Sequence, residues 1–193
     1  MSELVIVSRE GWHARPPTLV EPMANPVPYV VIHHSYIPGA CATPQECVAA
    51  MQAMQDLHQN VNGWNDIGYH FAVGGDGNAY EARGWSAVGA HAPKYNNISI
   101  GICVIGDWRD ELPPQQQLDA VHNLIGHGVN LGMIREDYQL LGHRQVRDTE
   151  CPGDRLFAEV QTWEHFAEKA TRITEGEASR GEDNKLFFFK RGP

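Results

Sequence analysis

The chain contains no apolar run of the roughly 20 residues that a membrane-crossing helix needs, and its opening Met-Ser-Glu-Leu-Val-Ile-Val-Ser-Arg-Glu has neither the basic start nor the apolar stretch of a secretory leader. Basic residues are scarce, 15 Lys and Arg against 24 Asp and Glu for a formal charge of −9. No cationic stripe is present to track a phosphate backbone. These shortages argue against a transmembrane segment and against nucleic acid as a partner, and taken alone they place the chain in the cytosol. Internal repeats are also missing. At 193 residues, 42% of them hydrophobic, the chain can bury one sizeable core but not two ordinary domains. Cysteine is sparse, with four in all. Cys41 and Cys47 flank a short turn and helix start, where a disulfide could close a small loop. Cys103, inside the apolar run Ser99–Ile105, reads as a buried free thiol acting as a small hydrophobe. Cys151 is the thiol left to explain.

What is present reads as alternating strands and helices. Pro26-Val-Pro-Tyr-Val-Val-Ile-His33 follows a proline-marked loop and is rich in β-branched residues, which predicts a strand ending near His33. Thr43-Pro-Gln-Glu46 supplies an N-cap, a first-position proline and a reciprocating acid. The helix behind it should bury Cys47, Met51, Met54 and Leu57 or His58. Gly68–Val73 and Asn78–Ala82 are expected as strands joined at Gly74-Gly-Asp-Gly77, and Ile98–Ile105 as a central strand covered on both faces. Leu118, Val121, Ile125 and Val129 mark a helix opened by Leu112-Pro-Pro-Gln115. A last helix starts near Asp154 and buries Leu156 or Phe157, Val160 and either Trp163 or Phe166. The expectation is one α/β domain, residues 1–170, with a central mixed sheet flanked by helices. A polar tail, 171–193, would follow, carrying the aromatic segment Lys185–Lys190.

His143 and Cys151 stand eight apart in Leu-Gly-His-Arg-Gln-Val-Arg-Asp-Thr-Glu-Cys-Pro-Gly, and the first long strand delivers His33-His34. Two neutral imidazoles and one thiolate would hold Zn2+ with a fourth position open, the pattern of hydrolytic zinc. A lone strand histidine is more often a hydrogen-bonded core residue. In extended backbone only one of the adjacent pair faces the metal, and these residues by themselves leave open which. A structural zinc would need a fourth protein ligand, such as the second of the two. Tyr69 could donate to a developing oxyanion or pack as a half-buried sheet aromatic. Thr149 and Glu150 could orient water or substrate, or serve only loop hydrogen bonds. Arg83 could hold a carboxylate in a planar fork or be a solvated arginine. Trp64, beside Gly63, offers an aromatic wall.

Four segments carry a family resemblance: Val-Ile-His-His-Ser at 31–35, Gly-Trp-Asn-Asp-Ile-Gly-Tyr-His-Phe at 63–71, Gly-Ala-His-Ala-Pro-Lys-Tyr-Asn at 89–96 and the His143–Cys151 run. Over roughly Val7 to Phe166 the chain resembles the peptidoglycan recognition proteins of the zinc-dependent N-acetylmuramoyl-L-alanine amidase type. The resemblance implies one Zn2+ on His33, His143 and Cys151, catalytic roles for Tyr69 and Thr149, and a Cys41–Cys47 disulfide. Thr149 falls where related bacteriophage enzymes carry lysine. Substrate contacts would come from Gly63, Trp64, His70, Arg83 and His91, with Gly63-Trp64 and Arg83 matching binders of meso-diaminopimelate-type peptidoglycan. The implied activity is cleavage between N-acetylmuramic acid and L-alanine, removing immune-stimulating bacterial fragments. A non-catalytic peptidoglycan-binding receptor module is the alternative. The resemblance points to a secreted protein, at odds with the missing leader, so a cytoplasmic form is the alternative location.

Overall fold

The computed structural model describes residues 3–171; the tail expected at 171–193, with Lys185–Lys190, lies outside them apart from Thr171. Among the described residues six strands form one sheet: β1 (Ile6–Val7), β2 (Val27–His34), β3 (Phe71–Val73), β4 (Ala79–Glu81), β5 (Ser99–Val104) and β6 (Ile134–Gly142). Their order is β1-β4-β3-β5-β2-β6. Only β3 and β4, a hairpin, pair antiparallel; every other neighbouring pair is parallel. The mixed sheet and single α/β domain agree with the sequence expectation.

β5 and β2 occupy the middle, and six consecutive β5 residues are buried, as expected of a strand covered on both faces. Val30, Ile32, Ile100, Ile102 and Val104 pack on one face beneath helices α2 (Gln115–Asn130) and α3 (Asp154–Val160). Cys103 and Ile105 point to the other face, where α1 (Pro44–Asp56) adds Cys47, Met51 and Met54 over the indole of Trp12. Period-two alternation therefore splits the core in two and sends His33 and His34 to opposite faces. Gln117, fully buried in α2, donates to the carbonyls of Val73 (2.8 Å) and Ile105 (3.1 Å), tying the helix to the ends of β3 and β5.

Local chemistry accounts for the boundaries. The Glu46 amide donates to Thr43 Oγ1 at 3.3 Å and the Thr43 amide to Glu46 Oε2 at 3.1 Å, completing the capping box. The Cys41–Cys47 disulfide closes the same turn. α1 runs on into a π-helical turn, Leu57–Val61, which buries His58 and leaves Leu57 exposed. In the hairpin turn, Gly77 takes the left-handed φ of +84° that glycine permits.

Three differences from the sequence reading have physical causes. The hairpin strands are shorter than expected, so Tyr69 precedes β3 instead of lying in it. There its carbonyl accepts the Arg83 amide at 3.1 Å, just past the end of β4. α3 ends at Val160, and buried Trp163 reaches the core from the following turn. β6 was not anticipated, because Ile134-Arg-Glu-Asp-Tyr is charged where an edge strand faces solvent and only its last residues, Leu140 to Gly142, are buried alongside Ile134.

Removing the α1 cap isolates one of these effects. Thr43→Ala should destabilise the protein by about 1 kcal/mol and lower the thermal midpoint by about 2–4 °C, measured by calorimetry on the disulfide-intact protein.

Candidate active site

β2 and β6 run parallel with Ile32 opposite Gly142. Their carboxyl ends therefore release His33 and His143 side by side, where open α/β sheets place ligands. The two imidazole centroids are 4.3 Å apart. The loop after His143 returns Cys151, whose Sγ lies 3.7 Å from His33 Nδ1. One donor atom from each of the three falls within 4.8 Å of the others, so the cluster could coordinate a metal ion. His143 Nε2 is buried with no hydrogen-bond partner among the described residues. The Cys151 sulfur accepts the backbone N–H of His34 at 3.4 Å.

His33 is oriented from behind. Its Nε2 lies 2.9 Å from His91 Nδ1, His91 Nε2 lies 3.4 Å from Ser99 Oγ, and that hydroxyl donates to the Tyr95 carbonyl at 2.7 Å. Assigning the His33 proton to Nε2 satisfies the whole series and turns the Nδ1 lone pair toward Cys151, as in the outer shells of metal-bound histidines. Glycine makes room for it: a Cβ on Gly101 would come 2.5 Å from the His91 ring, and one on Gly89 2.6 Å from it. His34 points to the opposite face, where its Nδ1 accepts the Trp108 amide at 3.4 Å. It offers the cluster a backbone N–H and no imidazole.

A groove of about 760 Å3 opens over the cluster, with Trp64, His58 and Ala90 along one stretch and Tyr36, Arg109 and Glu150 along another. Tyr69 sits between His33 and His58, with ring centroids at 5.2 and 5.7 Å. Burial holds its phenol well above the usual pKa, so it stays a donor. Thr149 Oγ1 accepts the Cys151 amide at 3.2 Å and also lines the groove. Burial pushes His58 and His143 down to about 4 and His33 well below the ordinary histidine value. These imidazoles are neutral at physiological pH.

The remaining residues separate by place. Trp64 is 39% exposed, stacked on His58 at 4.6 Å, while Gly63 before it adopts a φ of +70°. Arg83 is outside the groove, in an adjoining hollow that shares Trp64 and Ala90 with it. Its guanidinium donates to the carbonyls of Ile67 (2.8 Å), Val88 (2.7 Å) and Asp66 (3.4 Å). His70 does not reach the groove. It is fully buried, with Nδ1 accepting the Gly101 amide and Nε2 against the Ala87 carbonyl, both at 2.9 Å. Its nitrogens are spent on backbone, so any influence on substrate is indirect. Sequence reasoning missed His58 as a groove residue, because its helical spacing reads as core. It also missed Tyr36, which holds a φ of +59° with the Arg109 guanidinium carbon 4.7 Å over its ring. The adjacent Tyr-Ile-Pro was the available signal for an unusual turn.

Two imidazoles and a thiol converging on an open groove, beside a phenol that stays protonated, define a candidate metallohydrolase. The sequence profile of the N-acetylmuramoyl-L-alanine amidase family matches residues 23–154. Peptidoglycan-recognition protein LB of Drosophila melanogaster is 59% identical over 161 residues, 83% of this chain and 69% of that one. Peptidoglycan-recognition protein SC2 of the same species is 40% identical, over 84% of this chain and 88% of its own. A mutant of Drosophila PGRP-LB solved with tracheal cytotoxin superposes with a TM-score of 0.83 at 58% identity, covering 84% of this chain and 96% of that one. The chain belongs to the N-acetylmuramoyl-L-alanine amidase family, among its peptidoglycan recognition proteins.

Proton release on metal uptake reads out the electrostatics. With the imidazoles already neutral and the Cys151 thiol pushed up to about 12 by burial, metal binding must expel the thiol proton. The metal affinity should therefore rise about tenfold per pH unit between about pH 6 and 8. Calorimetry in buffers of different ionisation enthalpy should find about one proton released; none released would mean that Cys151 does not ligate.

Proposed function

We propose that the protein is a zinc-dependent N-acetylmuramoyl-L-alanine amidase. It hydrolyses the amide between the lactyl group of N-acetylmuramic acid and the L-alanine of the stem peptide, in peptidoglycan or its muropeptide fragments. The observation that carries this reading is the convergence of His33, His143 and Cys151, with one donor atom of each within 4.8 Å of the others, at the floor of an open groove. No further His, Cys, Asp or Glu joins that cluster among the described residues, which favours a hydrolytic over a structural site. When bound there, Zn2+ supplies Lewis-acid polarisation of the scissile carbonyl and lowers the pKa of the attacking water.

The chain's own groups do the rest. His91 holds His33 in the ligating tautomer. Tyr69, protonated throughout the physiological range, donates to the oxygen that becomes negative as the carbonyl turns tetrahedral. Thr149 holds the Cys151 amide with its oxygen and keeps its O–H for a groove acceptor. His58 accepts the Gly68 amide at Nδ1 (3.0 Å), which leaves its Nε2–H available to the substrate. Arg83 uses three of its five N–H groups on carbonyls, and the remaining two can meet a carboxylate beyond Trp64. A meso-diaminopimelate stem presents that carboxylate and a lysine stem does not.

Solved relatives support this substrate class: PGRP-LE, 44% identical with a TM-score of 0.83, was crystallised with tracheal cytotoxin, a monomeric diaminopimelic acid-type peptidoglycan. The Cys41–Cys47 disulfide suits an oxidising, extracellular setting, and no helix among the described residues is long and apolar enough to cross a membrane. There the reaction would remove immune-stimulating fragments and damp the response to bacteria. Residues 1–170 are proposed as the functional unit.

Mass analysis of a defined diaminopimelate muropeptide, incubated with zinc-loaded protein, should show free stem peptide and the intact sugar, and neither with chelator present. Binding without cleavage at full zinc occupancy would move the receptor-module reading ahead. Tyr69→Phe should lower kcat about 10²- to 10³-fold with zinc affinity retained. Cys151→Ser should lose zinc and turnover while still binding muropeptide. For Arg83→Ala, kcat/KM should fall about 10- to 100-fold on the diaminopimelate substrate and by far less on the lysine form. Equal losses on both would assign Arg83 to folding.

A further inference from the structure

We propose that Arg144 is the positioning residue that fixes Cys151 relative to His143, and with it the geometry of the metal centre. This inference rests on the reading of His33, His143 and Cys151 as the ligand set.

His143 stands on a short 3-10 turn continuous with β6, whereas Cys151 lies beyond a loop, residues 146–150, without helix or strand, in which Arg147, Asp148 and Glu150 are exposed. Within the loop Thr149 Oγ1 holds the Cys151 amide at 3.2 Å, and the carbonyls on either side of the Cys151 Cα are left to other partners. Arg144 holds the peptide groups on both sides of the Cys151 Cα. Its backbone N–H donates to the Cys151 carbonyl at 2.9 Å, and its Nη2 donates to the Glu150 carbonyl. With the carbonyl before and the carbonyl after the residue both held by one neighbour of His143, the direction of the Cα–Cβ bond is set, and the His34 N–H then meets the sulfur at 3.4 Å.

The guanidinium is anchored from two further sides. Nη1 meets Asp154 Oδ1 at 2.7 Å, at the start of α3, and the guanidinium carbon lies 4.9 Å over the Phe157 ring. Phe157 in turn presses on Gly142, where an added Cβ would come 2.6 Å from the ring. The residue before His143 and the first turns of α3 are thus locked to the same arginine. Its Nε is buried without an acceptor, a desolvation cost that a solvated surface arginine does not carry. The ordinary alternative is a surface ion pair with Asp154, whose side chain is 80% exposed. Such a pair contributes little, and it gives no reason for the bond to the Glu150 carbonyl.

Arg144→Met keeps an unbranched apolar chain and removes the fork, Arg144→Lys keeps the charge without the planar geometry, and Asp154→Asn removes only the ion pair. Zn2+ affinity would be measured by chelator competition, thiolate ligation by the cysteine-to-metal charge-transfer absorption of the Co2+-loaded protein, and folding by the thermal midpoint of metal-free protein. Arg144→Met should raise the zinc Kd about 10- to 100-fold and weaken the charge-transfer band, with the metal-free midpoint within about 2–4 °C of wild type. Arg144→Lys should move the same way, and Asp154→Asn should keep the Kd within about threefold. Wild-type affinity and absorption in Arg144→Met would overturn the proposal. So would full function of Arg144→Lys, or losses in Asp154→Asn equal to those in Arg144→Met. A wild-type protein that binds neither Zn2+ nor Co2+ would overturn the ligand reading and this inference together, whereas wild-type binding with a Cys151→Ser control lacking the band isolates the role of Arg144.

Discussion

The parallel pairing of β2 with β6 is the constraint on which the site depends. Parallel strands end at the same edge of a sheet, so residues following two neighbouring strands can meet without a long excursion of either chain. With Ile32 opposite Gly142, the next residue on each strand is a histidine. Because side-chain direction alternates along a strand, a one-residue slip would exchange His33 for His34 and send the wrong imidazole to the site. The register is held by the buried residues on both faces, Val30 and Ile32 against α2 and α3, and by Leu140 and Leu141 on β6. Core packing remote from the groove thereby determines which nitrogen faces it.

A second constraint is electrostatic. Burying imidazoles favours their neutral forms, and each neighbouring histidine adds to the cost of charging His33. The cluster is therefore a set of lone pairs with no cation of its own at neutral pH, in a chain whose formal charge is −9. Burial also raises the Cys151 thiol, while the His34 amide on its sulfur acts in the opposite direction. A divalent ion bound at the cluster would reconcile these tendencies, since it would supply the charge that lets a thiolate exist in this setting. The glycines at 89 and 101 belong to the same account: only their missing side chains let His91 approach His33 and carry the hydrogen-bond series to Ser99 and Tyr95.

Much of this was legible in the sequence. The β-branched run before His33, the Thr43 capping box and the three-and-four spacing of Leu118, Val121 and Ile125 each reflect a local rule that the tertiary structure leaves intact. β6 was hidden because edge position, which decides whether Arg135, Glu136 and Asp137 can sit in a strand, is a property of the assembled sheet. Tyr69 reads as a strand residue from its neighbours, yet the chain bends just before β3. The choice between His33 and His34 came from resemblance, and in the structure it follows from strand alternation and the β2–β6 register. His58, Tyr36 and Arg144 escaped because their significance lies in what faces them across the fold. His70 shows the converse: it stands in a telling segment, Gly-Tyr-His-Phe, but spends both ring nitrogens on backbone.

The layout also explains why recognition and hydrolysis are separable in such a fold. Trp64, Gly63 and Arg83 are supported by the His58 stack and by the carbonyls of Asp66, Ile67 and Val88, none of which touches His33, His143 or Cys151. A chain that needed only to bind could lose the thiol or the phenol and keep this hollow. Holding the ligand set instead requires the His91 series, the space above Gly89 and Gly101, a buried His143 Nε2 without a protein partner, and a loop that returns Cys151 to the end of β2. Each lowers stability or restricts sequence, and none adds a contact to the hollow beside Arg83. Their joint presence is intelligible when the groove acts on what it binds, because only bond cleavage at its floor draws on all of them.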